Sequence, residues 1–378
     1  MIHRIGTSIN DVDSPLASAA STPTQMSTKT PKCPATVVDL FCGAGGLSQG
    51  FLLEGFALAG GIDLDPDCRF PYEVNNHAPF MLEDVRDVSS ADLITMYAGS
   101  SPRILAGCAP CQPFSSYTQG RCPSNDEKWG LLYAFRRLVA ETKPDIVTME
   151  NVVRIQAHEV FRDFIDTLNS LDYHVSVTEV FCPDYGIPQT RRRLVVLASL
   201  HAPISIAPPT HNRATYMTVR NTIGDLSPLS AGQTDNKDDL HRASSLSAMN
   251  LKRIRASVPG GTWRDWNPTL RAKCHTKESG ASYRDVYGRM EWNKPSPTIT
   301  TECFGYGNGR FGHPVQDRAI SLREAALLQT FPPNYRFVEP GKRVDTSSVG
   351  RLIGNAVPVG LARVIARSIK NHLEVKIG

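Results

Sequence analysis

Two cysteines lie three residues apart in the stretch GCAPCQPFS, residues 107–115. A structural zinc site needs about four ligands, and no second Cys-x-x-Cys pair or suitably spaced histidine accompanies this one, so no metal is expected. A thioredoxin-type pair needs its first cysteine at a helix N-terminus, whereas Cys108 ends a predicted strand. The prolines around Cys111 favour a rigid loop at the carboxyl end of that strand, where open α/β sheets place their sites. Cys111 is therefore a candidate nucleophile, and Cys108 fits a small buried residue.

A carboxyl group and a run of arginines follow further along the chain. Glu150 comes directly after the apolar run DIVTM, so it is expected at the same edge of the sheet. A partly desolvated carboxyl group there can share a proton with a substrate. The run QTRRR, residues 189–193, precedes another strand, and strand alternation sends Arg191 and Arg193 to one face and Arg192 to the other. An arginine on the site face can hold a carbonyl or phosphate oxygen.

A glycine-rich turn follows the first predicted strand, with the pattern Phe41-x-Gly43-x-Gly45. Glycines let the backbone turn tightly and let a ligand approach the free N–H groups of the next helix. The pattern is not Gly-x-Gly-x-x-Gly, which argues against a pyrophosphate ligand. Asp63, at a later strand end, is placed to hold ribose hydroxyls, and Asp84 to accept from an adenine amino group. An adenosyl ligand without phosphates is indicated; the alternative is a glycine turn used only for tight packing.

The elements that must position these residues alternate strand and helix from about residue 36 to residue 200. This rhythm predicts a mainly parallel sheet covered on both faces. Residues 1–34 are rich in Ser, Thr and Pro and predict a disordered tail, within which Met26 is an alternative start. We expect a catalytic domain over residues 35–220, completed by 345–378. A second, irregular domain is expected over 221–344.

Composition and charge narrow the class of protein. The chain has 378 residues, 41% hydrophobic and 21% charged, which is typical of a soluble globular protein. No long apolar run or leader-like start predicts a membrane span or export, and nine cysteines fit reduced thiols in the cytoplasm. The net charge of +4 is uninformative, but residues 251–294 are basic and interleaved with aromatics. That segment suits a phosphate backbone; the alternative is a solvated face over core aromatics.

Taken in order, these motifs resemble those of the DNA cytosine-5 methyltransferases over residues 36–370. The matching segments are residues 39–46, 63–65, 83–85, 110–112, 150–152, 189–193, 318 with 321–332, and 354–358. The resemblance implies a Rossmann-like, S-adenosylmethionine-dependent methyltransferase sheet with a smaller, irregular target-recognition domain. It implies methyl transfer to C5 of cytosine within a short double-stranded DNA sequence, with S-adenosylhomocysteine as the product.

The same resemblance assigns roles to individual residues. Cys111 would attack C6 of a flipped-out cytosine while Glu150 and Arg193 stabilise the developing charge, with Arg191 and Gln112 at the same site and Cys108 structural. The implied cofactor contacts are Phe41, Gly43, Gly45, Asp63, Leu64, Asp84, Val85, Pro110, Leu132, Asn355 and Val357. The implied DNA contacts are Ser115, Arg271 and Thr300.

The family further implies a monomeric, cytoplasmic bacterial enzyme, the modification half of a restriction system paired with an endonuclease. One alternative is an RNA (transfer RNA) cytosine-5 methyltransferase with the same chemistry. Another is a catalytically dead DNA-binding regulator, against which the intact reacting residues argue. An amino-methyltransferase needs an Asp/Asn-Pro-Pro-Tyr/Phe turn, and the chain has only FPPNY at residues 331–335.

Overall fold

A computed structural model describes residues 33, 35–110, 125–277, 283 and 285–377, with backbone alone at 125–128, 276 and 375–377. All of these residues belong to one compact unit. Of the tail predicted over residues 1–34, only residue 33 is among the described residues. The continuous described chain begins at residue 35. The segment 111–124, with the predicted Cys111, Gln112 and Ser115, also lies outside them.

A seven-stranded mixed sheet forms the centre of the molecule. The strands are β1 (Thr36–Leu40), β2 (Ala57–Asp63), β3 (Phe80–Leu82), β4 (Arg103–Gly107), β5 (Ile146–Asn151), β6 (His174–Phe181) and β7 (Arg192–Ser199). Their order is β3-β2-β1-β4-β5-β7-β6. Strands β1 to β5 pair with one another in parallel, whereas β7 runs antiparallel to both of its neighbours, β5 and β6. The predicted sheet class is confirmed, with β7 reversed relative to the other six strands.

The helices of the described chain are α1 (Gly46–Leu53), α2 (Arg69–Asn76), α3 (Ser90–Tyr97), α4 (Asn125–Thr142), α5 (Glu159–Ser170), α6 (Val219–Ile223), α7 (Ala248–Ala256), α8 (Leu322–Leu328), α9 (Thr346–Asn355) and α10 (Val359–Ile377). Of these, α1 and α10 cover one face of the sheet, and α3, α4 and α5 cover the other. Strand alternation divides the core, because Val38 packs with α3, α4 and α5 whereas Val37 packs with α1 and α10. Two separate apolar layers therefore hold the sheet edge in place.

The chain between β7 and α9 has little regular structure and is organised by buried arginines. Arg318 is fully buried and donates two hydrogen bonds of 2.7 Å to the carboxylate of Glu324. Arg289 donates to the carbonyls of Ile254 and His313. Such fully paired guanidinium groups satisfy loop carbonyls that a helix or sheet would otherwise satisfy. The irregular character predicted for this part of the chain is seen; its predicted limits, residues 221–344, stay a prediction.

The segment Thr346–Glu374 is long and apolar enough to cross a membrane by length and composition alone. However, 78% of its most apolar window is buried within the fold. Its apolar residues, including Leu361 and Ile365, pack on the α1 side of the sheet. The segment is therefore accounted for as core.

Candidate active site

The carboxyl ends of three strands place the reacting residues side by side. In β1 and β4, Leu40 pairs with Gly107, and in β4 and β5, Gly107 pairs with Met149. The next residues along the three strands are Phe41, Cys108 and Glu150, and they lie at one edge of the sheet. This is the edge at which open α/β sheets bind their ligands.

Glu150 is held between a thiol and a guanidinium group. Its side chain is only 2% exposed. The Cys108 thiol donates to Glu150 Oε2 over 2.9 Å, and Arg193 Nε lies 2.9 Å from Oε1. The Arg193 N–H is not directed at that oxygen, so among the described residues Oε1 accepts no hydrogen bond. A buried carboxylate oxygen therefore retains its capacity to accept from a ligand.

Arg191 and Arg193, which were predicted to share a face, have different contacts. Arg193 contacts Glu150, whereas Arg191 precedes β7 and is itself buried. Arg191 Nη1 donates to the carbonyl of Ile299 over 3.3 Å, and the Ile299 N–H donates to Gln189 Oε1 over 3.1 Å. Burial, and then the nearby Arg193 charge, lower the pKa of Arg191 to about 10. The 189–193 run thus fixes the backbone next to the exposed Thr300.

Arg192 points away from this site, as strand alternation predicts. Its guanidinium group is exposed and pairs with Glu179 on β6, and it lies 4.5 Å from the ring centre of Phe181. The sequence therefore separated Arg192 from Arg193 correctly. It did not show that Arg191 lies outside the strand.

The glycine turn is packed underneath and open above. Gly43 and Gly45 have φ angles of +53° and +88°, which favour glycine. A Cβ atom on Gly45 would lie 2.1 Å from Asn76 Nδ2, whereas one on Gly43 would meet nothing within 4 Å. Between α1 and the sheet edge, the turn therefore leaves room for a ligand above Gly43.

The two predicted ligand carboxylates follow neighbouring strands: Asp63 ends β2 and bonds to this turn, and Asp84 lies two residues after β3. Asp63 accepts from the N–H groups of Gly43 at 2.8 Å and Asp65 at 2.9 Å, and burial raises the pKa of its carboxyl group. Asp84 accepts from Arg86 Nε at 3.0 Å and Nη2 at 2.5 Å, and these bonds lower its pKa. Since a carboxylate has about four acceptor sites, each group can also receive a ligand donor.

The remaining predicted cofactor residues divide by burial. Leu64 is 63% exposed beside Asp63, and Pro110 and Asn355 are also exposed. Val85 and Leu132 are buried together in the core on the α4 side. Val357 is buried, and its carbonyl oxygen would lie 2.4 Å from a Cβ on Gly46, so the end of α9 packs directly on the glycine turn.

Among the two predicted DNA contacts that the structure describes, Thr300 is exposed and Arg271 is half-buried. Arg271 Nη2 donates to the carbonyl of Arg264 over 2.8 Å, while its buried Nε has no hydrogen-bond partner within the described part of the chain. No group of three or more His, Cys, Asp or Glu side chains converges as a metal site within the described part of the chain.

Sequence reasoning missed two side chains at this site. Asp39 lies in β1 beneath the glycine turn, 1% exposed, and accepts from Ser48 Oγ over 2.7 Å. Its other oxygen accepts no hydrogen bond from the residues that the structure describes, and burial raises the pKa of the carboxyl group to about 7. An aspartate within an apolar strand was the available signal. The second is Cys108, assigned to packing but bonded to Glu150.

The site's donors and acceptors fit an adenosyl ligand. The open space above Gly43 and the carboxylates of Asp63 and Asp84 suit hydroxyl and amino groups. The edge also carries a buried carboxylate and guanidinium pair that can polarise a second, flat ligand. The arrangement can bring two substrates together at one sheet edge.

Comparisons with known proteins agree with this geometry. Residues 35–371 match the model of the C-5 cytosine-specific DNA methylases. The chain is 54% identical to the Type II methylase M.HgiDII of Herpetosiphon aurantiacus, over 89% of this chain and 96% of that protein. It is 30% identical to the Type II methyltransferase M1.HphI of Haemophilus parahaemolyticus, over 88% of this chain and 86% of that protein.

A solved structure supports the fold. A prophage-encoded protein of E. coli, described as a DNA modification methyltransferase, superposes with a TM-score of 0.70 at 23% identity. The match covers 90% of this chain and 99% of that one. The chain, a DNA cytosine methyltransferase with the Rossmann-like fold of its class, therefore belongs to the C-5 cytosine-specific DNA methylase family.

Proposed function

We propose that the protein transfers a methyl group from S-adenosylmethionine to C5 of a cytosine within a short, specific double-stranded DNA sequence. The observation that carries this proposal is the buried Glu150, ion-paired with Arg193 and left with one oxygen that accepts no hydrogen bond from the described residues. We further propose that it modifies DNA for a restriction system, which the names of its Type II relatives support.

The chemistry begins at the residue after Pro110. Cytosine C5 is a poor nucleophile, but a bond from the Cys111 sulfur to C6 moves ring electrons toward C5 and N3. C5 then reacts as an enamine carbon and takes the methyl group. Loss of the C5 proton and cleavage of the sulfur–C6 bond restore the aromatic ring. Cys111 lies outside the described residues, and its role rests on the sequence.

Glu150 and Arg193 would stabilise the charge that develops during attack. Charge accumulates at N3 and O2 of the cytosine, and fixed partners at those atoms lower the barrier. Glu150 would hold a proton at N3, and the Arg193 guanidinium group would lie at O2. A ring carbon inside a duplex is out of reach of a thiolate, so the base must leave the stack.

The cofactor would lie over the glycine turn. When bound, S-adenosylmethionine supplies a methyl group on a positively charged sulfur. Asp63 would accept from its ribose hydroxyls and Asp84 from its adenine amino group. Leu64 would cover one face of the adenine, and the end of α9, with Asn355, would close the other side of the turn.

A covalent trap tests this proposal. Duplex DNA carrying 5-fluorocytosine has no C5 proton to lose, so the Cys111 adduct should accumulate when S-adenosylmethionine is present. We expect a denaturation-resistant protein–DNA complex, absent in Cys111→Ala. Full methyl transfer by Cys111→Ala, or no adduct on any DNA rich in potential targets, would contradict the mechanism.

One assay distinguishes the proposed function from the main alternative, an RNA cytosine-5 methyltransferase. It offers duplex DNA and transfer RNA with the same labelled cofactor. The basic and aromatic segment 251–294 supports DNA, because its exposed cations, such as Lys252, Arg264 and Lys273, can contact phosphates. Label in transfer RNA but not in DNA would favour the RNA enzyme.

We propose that the enzyme acts as a monomer in the bacterial cytoplasm.

A further inference from the structure

Cys108 contacts the reacting carboxyl group although it is not the proposed nucleophile. It follows Gly107, which pairs with Met149, so its side chain meets that of Glu150 across two neighbouring strands. The two atoms Sγ and Oε2 are 2.9 Å apart. Cys108 is half-buried and also packs against the apolar layer on the α1 side. Packing and hydrogen bonding are therefore separable roles for this residue.

The short distance requires a proton between the two groups. A thiolate and a carboxylate at this separation would repel each other strongly in a site from which water is nearly excluded. Glu150 is 2% exposed and its other oxygen lies beside Arg193, so the carboxylate is the group that keeps the negative charge. The thiol is accordingly the donor.

The two oxygens of the Glu150 carboxylate therefore have different contacts. Oε2 is occupied by Cys108, whereas Oε1 accepts no hydrogen bond from any described residue. The thiol on one side and Arg193 on the other fix the rotation of the carboxyl group. We propose that Cys108 is a positioning residue: its thiol holds Oε2 of Glu150 so that Oε1 is the oxygen that meets the cytosine. This inference rests on the proposed function.

The first test measures the hydrogen bond itself in the full chain, without DNA or cofactor. Infrared spectra of the wild type minus Cys108→Ser isolate the S–H stretch of Cys108. A thiol that donates to a carboxylate should show a band at lower frequency than a free thiol, and Glu150→Gln should shift it upward. A Cys108 band at the free-thiol frequency in the wild type would overturn the proposal. An absent wild-type 5-fluorocytosine adduct would instead contradict the proposed function, whatever this band shows.

The second test separates positioning from packing by kinetics. Single-turnover methyl transfer to unmodified bacterial DNA should slow by about tenfold in Cys108→Ala, because a hydrogen bond to a charged group is lost. The KM values for DNA and cofactor should stay near those of the wild type. Cys108→Ser keeps a donor and should retain most of the rate. Cys33→Ala, at the far end of β1 and also buried, is the matched control.

A double variant completes the test. In a Glu150→Gln background, Cys108→Ala should cause little further loss, because the two residues act as one unit. Wild-type rates in Cys108→Ala, or equal losses in the Ala and Ser variants, would overturn the proposal. If Cys108→Ala does not fold, the infrared band and the Ser variant still decide.

Discussion

At the level of single residues, Glu150 shows how neighbouring side chains lower the free-energy cost of burying a charge. Removing a carboxylate from water is costly unless partners replace the lost hydration. Here the partners are the Cys108 thiol and the Arg193 guanidinium group, each 2.9 Å away. Among the described residues, Glu150 Oε1 accepts no hydrogen bond, so this oxygen can accept one from a ligand.

Replacing Glu150 with glutamine should abolish most activity while keeping the shape of the side chain. An amide cannot hold a proton at N3 as a carboxyl group does, so single-turnover methyl transfer should fall by about 100-fold or more. DNA binding, measured by fluorescence anisotropy, should change little. Glu141→Gln, on the exposed pair with Arg137, should leave the rate unchanged. A Glu150→Gln variant with the wild-type rate would contradict the role.

Asp39 should make stability depend on pH. Burial raises its pKa to about 7, while an unfolded aspartate has a pKa of about 3.9. Between these values the native state binds more protons than the unfolded chain, so stability falls as pH rises through this range. Asp39→Asn should remove that component. Its free energy of unfolding relative to the wild type should therefore rise from pH 5 to pH 8 in urea titrations. The exposed Asp239→Asn should show no such trend.

The glycine turn shows how an element is shaped by what lies beneath it. The left-handed backbone of Gly45 is set against the side chains of Asn76 and Tyr335, and the Tyr335 hydroxyl donates to the carbonyl of Ala44. Those partners come from α2 and from the segment before α9. The turn is therefore fixed from below, and its upper surface is left to the ligand.

Gly45→Ala should destabilise the protein more than an equivalent change at an open glycine. Both Gly45 and Gly99 have positive φ, so alanine adds about 1–2 kcal/mol of backbone strain at either site. Only at Gly45 would the Cβ also clash, 2.1 Å from Asn76 Nδ2, with nothing within 4 Å at Gly99. We expect about 1–3 kcal/mol of additional loss at Gly45 in urea unfolding. Equal losses in the two variants would show that the loop gives way freely.

Contacts between distant parts of the chain complete the site at the scale of the whole molecule. Arg351 on α9 pairs with both Asp65 and Asp67, next to the predicted ribose carboxylate. One turn further along α9, a Cβ on Gly354 would lie 2.3 Å from the backbone of Thr300. Helix α9 thus connects the strand end that carries Asp63 and Asp65 to the segment that Arg191 holds.

The affinity for duplex DNA should depend steeply on salt, because phosphate contacts release counterions. Lys252 is an exposed residue of α7 within the basic segment. Lys252→Gln should reduce the slope of log affinity against log salt by about one unit, nearly equally for all sequences. Lys143→Gln, at the amino end of β5 and so opposite the active edge, should leave the slope unchanged. An unchanged slope in Lys252→Gln would remove α7 from the DNA surface.

Local sequence pattern predicts most of the sheet and two of the later helices. Continuous apolar runs match β1, β4 and β5 within a residue or two, because these strands are buried at consecutive positions. The sequence also predicts helices over residues 321–330 and 358–372, where the structure has α8 and α10. Helix α9 was not predicted, since TSSVGRLIGN is poor in helix formers. It forms because Gly350 and Gly354 allow close packing on Phe304 and Thr300.

Apolar runs in the sequence specify which residues lie at or near the carboxyl ends of the parallel strands, and therefore which side chains share the active edge. Which atoms meet at that edge depends on the tertiary fold. Cys108 and Glu150 are 42 positions apart, and Arg351 and Asp65 are 286 apart. Spacing along a chain carries no information about such contacts, because strand register and helix packing set the distances. The contacts of Cys108 and Asp39 likewise depend on how the sheet and its two apolar layers are assembled.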